Sequence, residues 1–258
     1  AVLGGFAHRP NFLRRRMMNR AWTARPTPTL DKFSEDLTNL AREEKIGFLI
    51  GHAQEFEALL TGLSNPSKPN VLLVGEPGSG KSTMIAHLAF RMIKDQVPSV
   101  LFDKRLVSLE IGELVADAPP DVLAGRLQKI AEEIILAGNI VLFIPNTHDL
   151  FRTSPDRTMN AIDILLPVIR NENIPTICET YPREFKKYIE PRSDFLDQFS
   201  IVQVEEISEI EAIRLLVHSS IIFENQYKIF ITFNSIRAAV ETAHKYFRNQ
   251  LLPGSALD

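Results

Sequence analysis

Eight consecutive residues, Gly75-Glu76-Pro77-Gly78-Ser79-Gly80-Lys81-Ser82, satisfy the pattern G-x4-G-K-[ST] at every defined position. A segment of this kind cradles phosphates. Gly75, Gly78 and Gly80 permit backbone conformations that turn N–H groups inward, and a helix beginning near Lys81 adds its positive dipole end. Lys81 is expected to bridge β- and γ-phosphates, and Ser82 to ligate Mg²⁺. Thr83 either packs or reaches an α-phosphate. The expected cofactor is therefore ATP or ADP, with Mg²⁺, held by residues 75–83. Other residue types offer less. His8, His52, His87, His148, His218 and His244 form no metal-ligand spacing. Cys178 lies in an apolar run and reads as a small core residue rather than a nucleophile. Trp22 and the phenylalanines form no stacking array for single-stranded nucleic acid.

The elements around the motif supply the context it needs, a strand before and a helix after. Val71 to Val74 is a continuous apolar run between turn signals, as in a strand buried on both faces. Met84 to Ile93 is a helix with Ile85, Leu88, Ala89 and Met92 inward. Further strands are predicted over 106–111, 140–144, 174–178 and 201–204. Helices are predicted over 30–45, 55–63, 122–137 and 161–170, with Pro167 kinking the last or lying near its end. Alternating strands and helices imply an α/β fold with a parallel, doubly wound sheet of five strands. From Ser208 the pattern becomes helical. Ser208-Glu209-Ile210-Glu211 has the form of a capping box, and helices follow over about 209–224 and 234–248.

The organisation read from these elements is a basic arm and linker over 1–29, an α/β domain over 30–205 and a helical lid over 206–258. Arg25-Pro26-Thr27-Pro28-Thr29 reads as an extended linker. The 258 residues carry 45% hydrophobic and 24% charged side chains. This ordinary globular mixture excludes a fibre, a disulfide scaffold and global disorder. No apolar run reaches the ~18 residues of a membrane span. The single cysteine fits a reducing compartment, so a cytoplasmic location is expected. Net charge is −3, which gives no overall nucleic-acid footprint. Residues 1–26, however, hold six arginines and no acid, leaving 23 basic and 32 acidic groups in the rest. That arm is a candidate contact for anionic lipid. The chain opens Ala1-Val2-Leu3 and ends at Asp258 inside a lid helix, so it reads as a piece of something longer.

Several segments together resemble the first AAA+ module of Clp-type chaperone ATPases. Thr27 to Phe33 and Asp36 to Glu43 resemble that family's entry segment. Leu49-Ile50-Gly51-His52 resembles its adenine-side V-I-G-R, which adds Ile50 to the expected ATP contacts. Asn70 to Gly78, Tyr188-Ile189-Glu190, Val202-Gln203-Val204 and Leu252-Pro253 continue the likeness in order, over about residues 27–258. The resemblance implies a RecA-like α/β subdomain with a helical lid, usually a hexamer with ATP between subunits.

The chain also departs from that family at its machinery. The family's second acidic motif is an apolar strand followed by D-E. Here the strand continues Pro145-Asn146. Proline has no carboxylate, and asparagine can hydrogen-bond a water but cannot take its proton. Asp149 is the nearest substitute. The family's R-R-F segment, which carries trans-acting arginines, reads Asp197-Gln198-Phe199, with Arg192 the nearest arginine upstream. The lid's D-K becomes Gly254-Ser255. The pore segment reads Asp117-Ala118-Pro119-Pro120-Asp121, without a basic-aromatic pair. Thr180 falls on the family's first sensor threonine.

Three functions follow in order of preference. The first is an ATP-binding module with poor or absent hydrolysis, serving ring assembly or regulation with copies of itself or AAA+ paralogues. The second is an active ATP-driven unfoldase acting on a protein substrate. The third is an adaptor tethered to membrane or nucleic acid by residues 1–26.

Overall fold

The computed structural model describes residues 25–43, 51–116, 119–152 and 160–246. Among them a six-stranded sheet has the order β1-β3-β4-β5-β2-β6. The strands are β1 (Ser34–Asp36), β2 (Asn70–Val74), β3 (Arg105–Leu109), β4 (Ile140–Ile144), β5 (Thr176–Thr180) and β6 (Ser200–Gln203). All neighbours pair in parallel except β1 with β3.

The alternation of side chains across the pleat divides the core into two layers. Leu72, Leu142 and Cys178 face one layer, with Leu127, Ile130 and Ile134 of the helix Pro120–Ala137 and Leu165 of Ala161–Ile169. Leu73, Phe143 and Ile177 face the other, with Leu59 of the helix Ala53–Leu63 and Met84, Ile85 and Leu88 of Lys81–Ile93. Strands β2, β4 and β5 are buried along their whole length. The apolar runs Val71–Val74 and Ile140–Ile144 follow from this, because neither face meets water.

The predicted sheet of five strands gains one. The helix expected over 30–45 is three elements: a helix over Pro28–Lys32, strand β1 and a helix over Leu37–Arg42. Ser34, Glu35 and Asp36 pair with Leu109, Ser108 and Val107, so the open edge of β3 overrides the helical spacing of the segment. Asp36 then caps the next helix, accepting from Asn39 N at 3.1 Å.

The predicted linker is docked. Thr27 is 1% exposed, and Pro28 starts a helix, where its missing N–H costs nothing. Glu133 reaches across from the long helix, accepting from Thr29 N at 3.0 Å and Leu30 N at 2.9 Å. These are first-turn donors that no residue within a short helix can satisfy.

Strand β5 begins two residues later than expected and extends to Thr180. Asn70 sets that start: its Oδ1 accepts from Thr176 N at 3.0 Å and its Nδ2 donates to Ile169 O at 2.7 Å. Strand β6 begins and ends one residue early. Pro167 lies two residues from its helix end.

The lid helices span Glu209–Tyr227 and Phe233–Tyr246 and pack through their own apolar cluster, including Ala212, Ile236 and Val240. The predicted capping box is present. Ser208 N donates to Glu211 Oε2 at 3.0 Å, and Glu211 N to Ser208 Oγ at 3.3 Å.

Two predictions follow from these contacts. Removing the remote cap with Glu133→Ala should lower stability by about 0.5–2 kcal/mol in urea titration, with Glu133→Gln losing less. At the lid, the Ser208 hydroxyl and N–H hold the Glu211 carboxyl below its ordinary value. A depressed carboxyl contributes stability above the unfolded pKa, and this is lost as pH falls through the folded one. Ser208→Ala should therefore destabilise most at neutral pH, by about 0.5–2 kcal/mol. Melting curves should show the gap narrowing below about pH 4.

Candidate nucleotide site

The motif closes a loop between β2 and the helix Lys81–Ile93. Strand β2 delivers Gly75 at the sheet's carboxyl edge, where its N–H donates to Thr180 O at 3.3 Å. A Cβ at Gly75 would stand 2.4 Å from Val204 O and 2.7 Å from Ser79 Oγ, so only glycine fits. Gly78 and Gly80 have φ of +81° and +95°. A Cβ at Gly80 would also come within 2.8 Å of His52 Nε2. Met84 N makes the first bond back to Gly80 O, at 3.0 Å. The N–H groups ahead of it belong to the unpaired first turn that favours anions.

Lys81 is 5% exposed. Its Nζ donates to Gly75 O at 2.8 Å and Glu76 O at 2.9 Å, and lies 5.0 Å from the centre of the Tyr181 ring. Burial lowers its pKa, against the raising influence of Glu179 and Glu76. Glu179 has the mirror situation: burial raises its pKa and Lys81 opposes this. Ser82 and Thr83 are exposed at the helix start, and Glu76, Pro77 and Gly78 are exposed on the loop. The Lys81 ammonium thus ties the start of the 75–83 segment to the helix that follows it. Ile50, Asp117 and Ala118 of the expected pore segment, residues 1–24 and Gly254-Ser255 lie outside the described residues.

Four buried side-chain atoms have no hydrogen-bond partner among the described residues: His52 Nε2, Ser79 Oγ, Asn146 Oδ1 and Glu179 Oε2. All belong to the loop, to the residue packed on Gly80, or to the ends of β4 and β5 beside it. Leaving one such group unpaired costs about 1–3 kcal/mol, so these atoms are candidates for contact with a polar ligand. Oxygen donors of this kind suit phosphate-bound Mg²⁺.

Pro145 and Asn146 follow β4 directly, with Asn146 in the left-handed region at φ +45°. Thr180 points away from Lys81's layer and its Oγ1 contacts His148 Nδ1 at 3.2 Å. His148 packs on Tyr181 at 5.4 Å between ring centres. Burial lowers the His148 pKa, opposed by Asp149. Asp149 itself is 45% exposed and pairs with Arg152 at 3.5 Å. Arg192 is engaged within the chain, by Asp163 at 2.7 Å and Asp194 at 2.9 Å. Cys178 is fully buried, and burial pushes its thiol up to about 12, so it is core.

Sequence reasoning passed over Glu179, Tyr181 and the packing of His52 on Gly80. A signal for the first was present, since Glu179 is a lone carboxylate on the tail of the apolar run Ile177-Cys178. The strand expected over 174–178 stops one residue short of it.

Residues 71–199 match the family described as ATPase family associated with various cellular activities (AAA). The chain is 35% identical over 234 residues to the negative regulator of genetic competence ClpC/MecB of Bacillus subtilis, covering 90% of this chain and 29% of that protein. It is 36% identical, with the same coverage, to the chaperone protein ClpB of Oceanobacillus iheyensis. Among solved structures it superposes on Hsp104 of S. cerevisiae in an ADP complex with a TM-score of 0.81. Identity there is 30%, covering 89% of this chain and 32% of that one. An extended Hsp104–casein complex gives a TM-score of 0.80 at 29% identity, covering 89% of this chain and 40% of that one. The chain therefore spans under a third of the length of the sequence relatives named. Half of the chain matches the family model and nine-tenths of it aligns with Clp relatives, so it belongs to the AAA family of ATPases, as an AAA+ module of the Clp chaperone type.

Proposed function

We propose that this chain binds ATP or ADP with Mg²⁺ at residues 75–83, hydrolyses ATP poorly, and acts in ring assembly or regulation of a Clp-like chaperone. The observation that carries the reading is the contrast within one site. The cradle keeps its glycines, its buried Lys81 and its unpaired polar atoms, while β4 runs into Pro145 and Asn146 where a general base is needed. Losing a general base costs about 10²–10⁴-fold in rate. A missing trans-acting arginine costs about 10³–10⁵-fold more, and Asp197-Gln198 offers none. Arg192 is not a free replacement, since two carboxylates hold it.

Partners follow from the same reading. Hsp104 is solved with ADP and with casein, which supports nucleotide as ligand and a protein client for a Clp-like assembly containing this module. Copies of this chain or AAA+ paralogues are its ring neighbours, and contacts through the phosphates of an adjacent site are weak without an arginine. Its place of action is the cytoplasm. Among the described residues no helix is long and apolar enough to cross a membrane.

The test pairs binding with turnover on one sample. ADP or ATP with Mg²⁺ at about 100 times the dissociation constant should stabilise the chain by about 2.7 kcal/mol, read as a thermal shift. Lys81→Ala should abolish the shift. Phosphate release should stay well below ~1 s⁻¹, the low end of ordinary enzyme rates. Release at that rate or faster, lost in Lys81→Ala, would establish the active motor instead.

A further inference from the structure

We propose that Glu179 orients the hydrated Mg²⁺ of the bound nucleotide, taking the place of the acid that the end of β4 lacks. The inference rests on the nucleotide reading above and assigns a metal-positioning group within that site.

Strand register carries the argument. Leu142, Phe143 and Ile144 of β4 pair with Thr176, Ile177 and Cys178 of β5. One step further places Pro145 beside Glu179. Phe143 and Ile177 face the layer of the helix Lys81–Ile93, and by the two-residue repeat of a strand Glu179 continues that face. Its neighbour on the other side is Leu73 of β2, two residues before Gly75. Because β5 lies between β4 and β2, Glu179 stands one strand closer to the loop than Pro145 does. Adjacent strands are about 4.8 Å apart, a displacement that a glutamate spans in part with its additional methylene relative to aspartate.

The state of the side chain fits a waiting ligand rather than a structural contact. Glu179 is 6% exposed, its Oε2 has no hydrogen-bond partner, and no ion pair within 4 Å joins it to Lys81 among the described residues. Lys81 gives its own hydrogen bonds to Gly75 O and Glu76 O instead. Lys81 offsets the burial of this carboxyl only through space; its Oε2 is left without a hydrogen bond, which is costly, and a divalent cation beside it removes that cost. Mg²⁺ in such sites keeps several waters and uses one or two protein oxygens besides the phosphates, a number that the Ser82 hydroxyl and one carboxylate would meet. Asp149 does not compete: it is exposed and paired with Arg152. Asn146 still offers no base. The expected phenotype is Mg²⁺-dependent retention of nucleotide with slow turnover.

The experiment measures fluorescent ADP and a non-hydrolysable ATP analogue binding to the full chain, in Mg²⁺ and in EDTA. The unmodified chain should bind more tightly in Mg²⁺. Glu179→Gln should reduce that Mg²⁺-dependent gain by about 10–100-fold, the usual loss when a group that orients a metal's ligands is removed. Its EDTA affinity should match the parent, Glu179→Asp should keep part of the gain, and its melting temperature without nucleotide should not fall. Full retention of the Mg²⁺ gain by Glu179→Gln overturns the proposal. Equal tightening with and without Mg²⁺ also overturns it, and makes Glu179 a counter-charge to Lys81. Binding that is lost in Lys81→Ala but indifferent to Mg²⁺ in the parent sinks the metal role while leaving the nucleotide site standing. No binding by the parent in either buffer sinks both.

Discussion

A single ammonium, that of Lys81, is held almost out of water at the carboxyl edge of a parallel sheet, and much of the architecture serves that placement. An isolated charge in such a position is strongly disfavoured unless oxygens surround it. Here two loop carbonyls accept its protons, a tyrosine ring lies beneath it, and a buried carboxylate stands nearby. Each depends on a different element. The carbonyls require Gly75 to pass within van der Waals distance of Val204, which no other residue permits. The ring and carboxylate require β5 to lie against β2 in a fixed register. That register is pinned at the opposite end of the strands by Asn70, whose amide ties β2 to the start of β5 and to the end of the helix before it.

The same dependence explains how much was legible in the residues alone. The phosphate cradle is local: three glycines, a lysine and a serine at fixed spacing, with an apolar run before and an amphipathic helix after. Buried central strands are legible for a similar reason, since burial on both faces demands an unbroken run such as Ile140 to Ile144. Strand β1 is not legible. Ser34-Glu35-Asp36 has no strand propensity of its own, and only the exposed edge of β3, more than seventy residues later, makes it one. The docking of Thr27 and Pro28 through Glu133 is equally remote.

Glu179 belongs to a third kind. Its residue type is visible, yet its meaning depends on a register that two strands set together. A carboxylate one residue beyond an apolar strand reads as the start of a loop. Only when β5 is known to run on to Thr180, and to lie between β4 and β2, does that carboxylate come to face the phosphate loop. Reading a strand end by composition stops it where hydrophobicity stops, and functional residues at the carboxyl edge of a parallel sheet lie just past that point.

A metal-orienting acid need not stay on one strand, because neighbouring strands of a parallel sheet present side chains to the same face at the same level. Mg²⁺ keeps several of its waters, and a carboxylate on the adjacent strand that hydrogen-bonds such a water meets the same electrostatic need. A general base is held to a stricter standard, since misplacement of a reacting group by about 1 Å costs on the order of 10²-fold. Binding and hydrolysis therefore separate along different tolerances. In the proposed reading Pro145 and Asn146 at the end of β4 supply no base, whose position is exacting, while Glu179 on β5 would take the more forgiving task. A module with such an arrangement is expected to lose turnover before it loses nucleotide, which is the order that the proposed role in ring assembly requires.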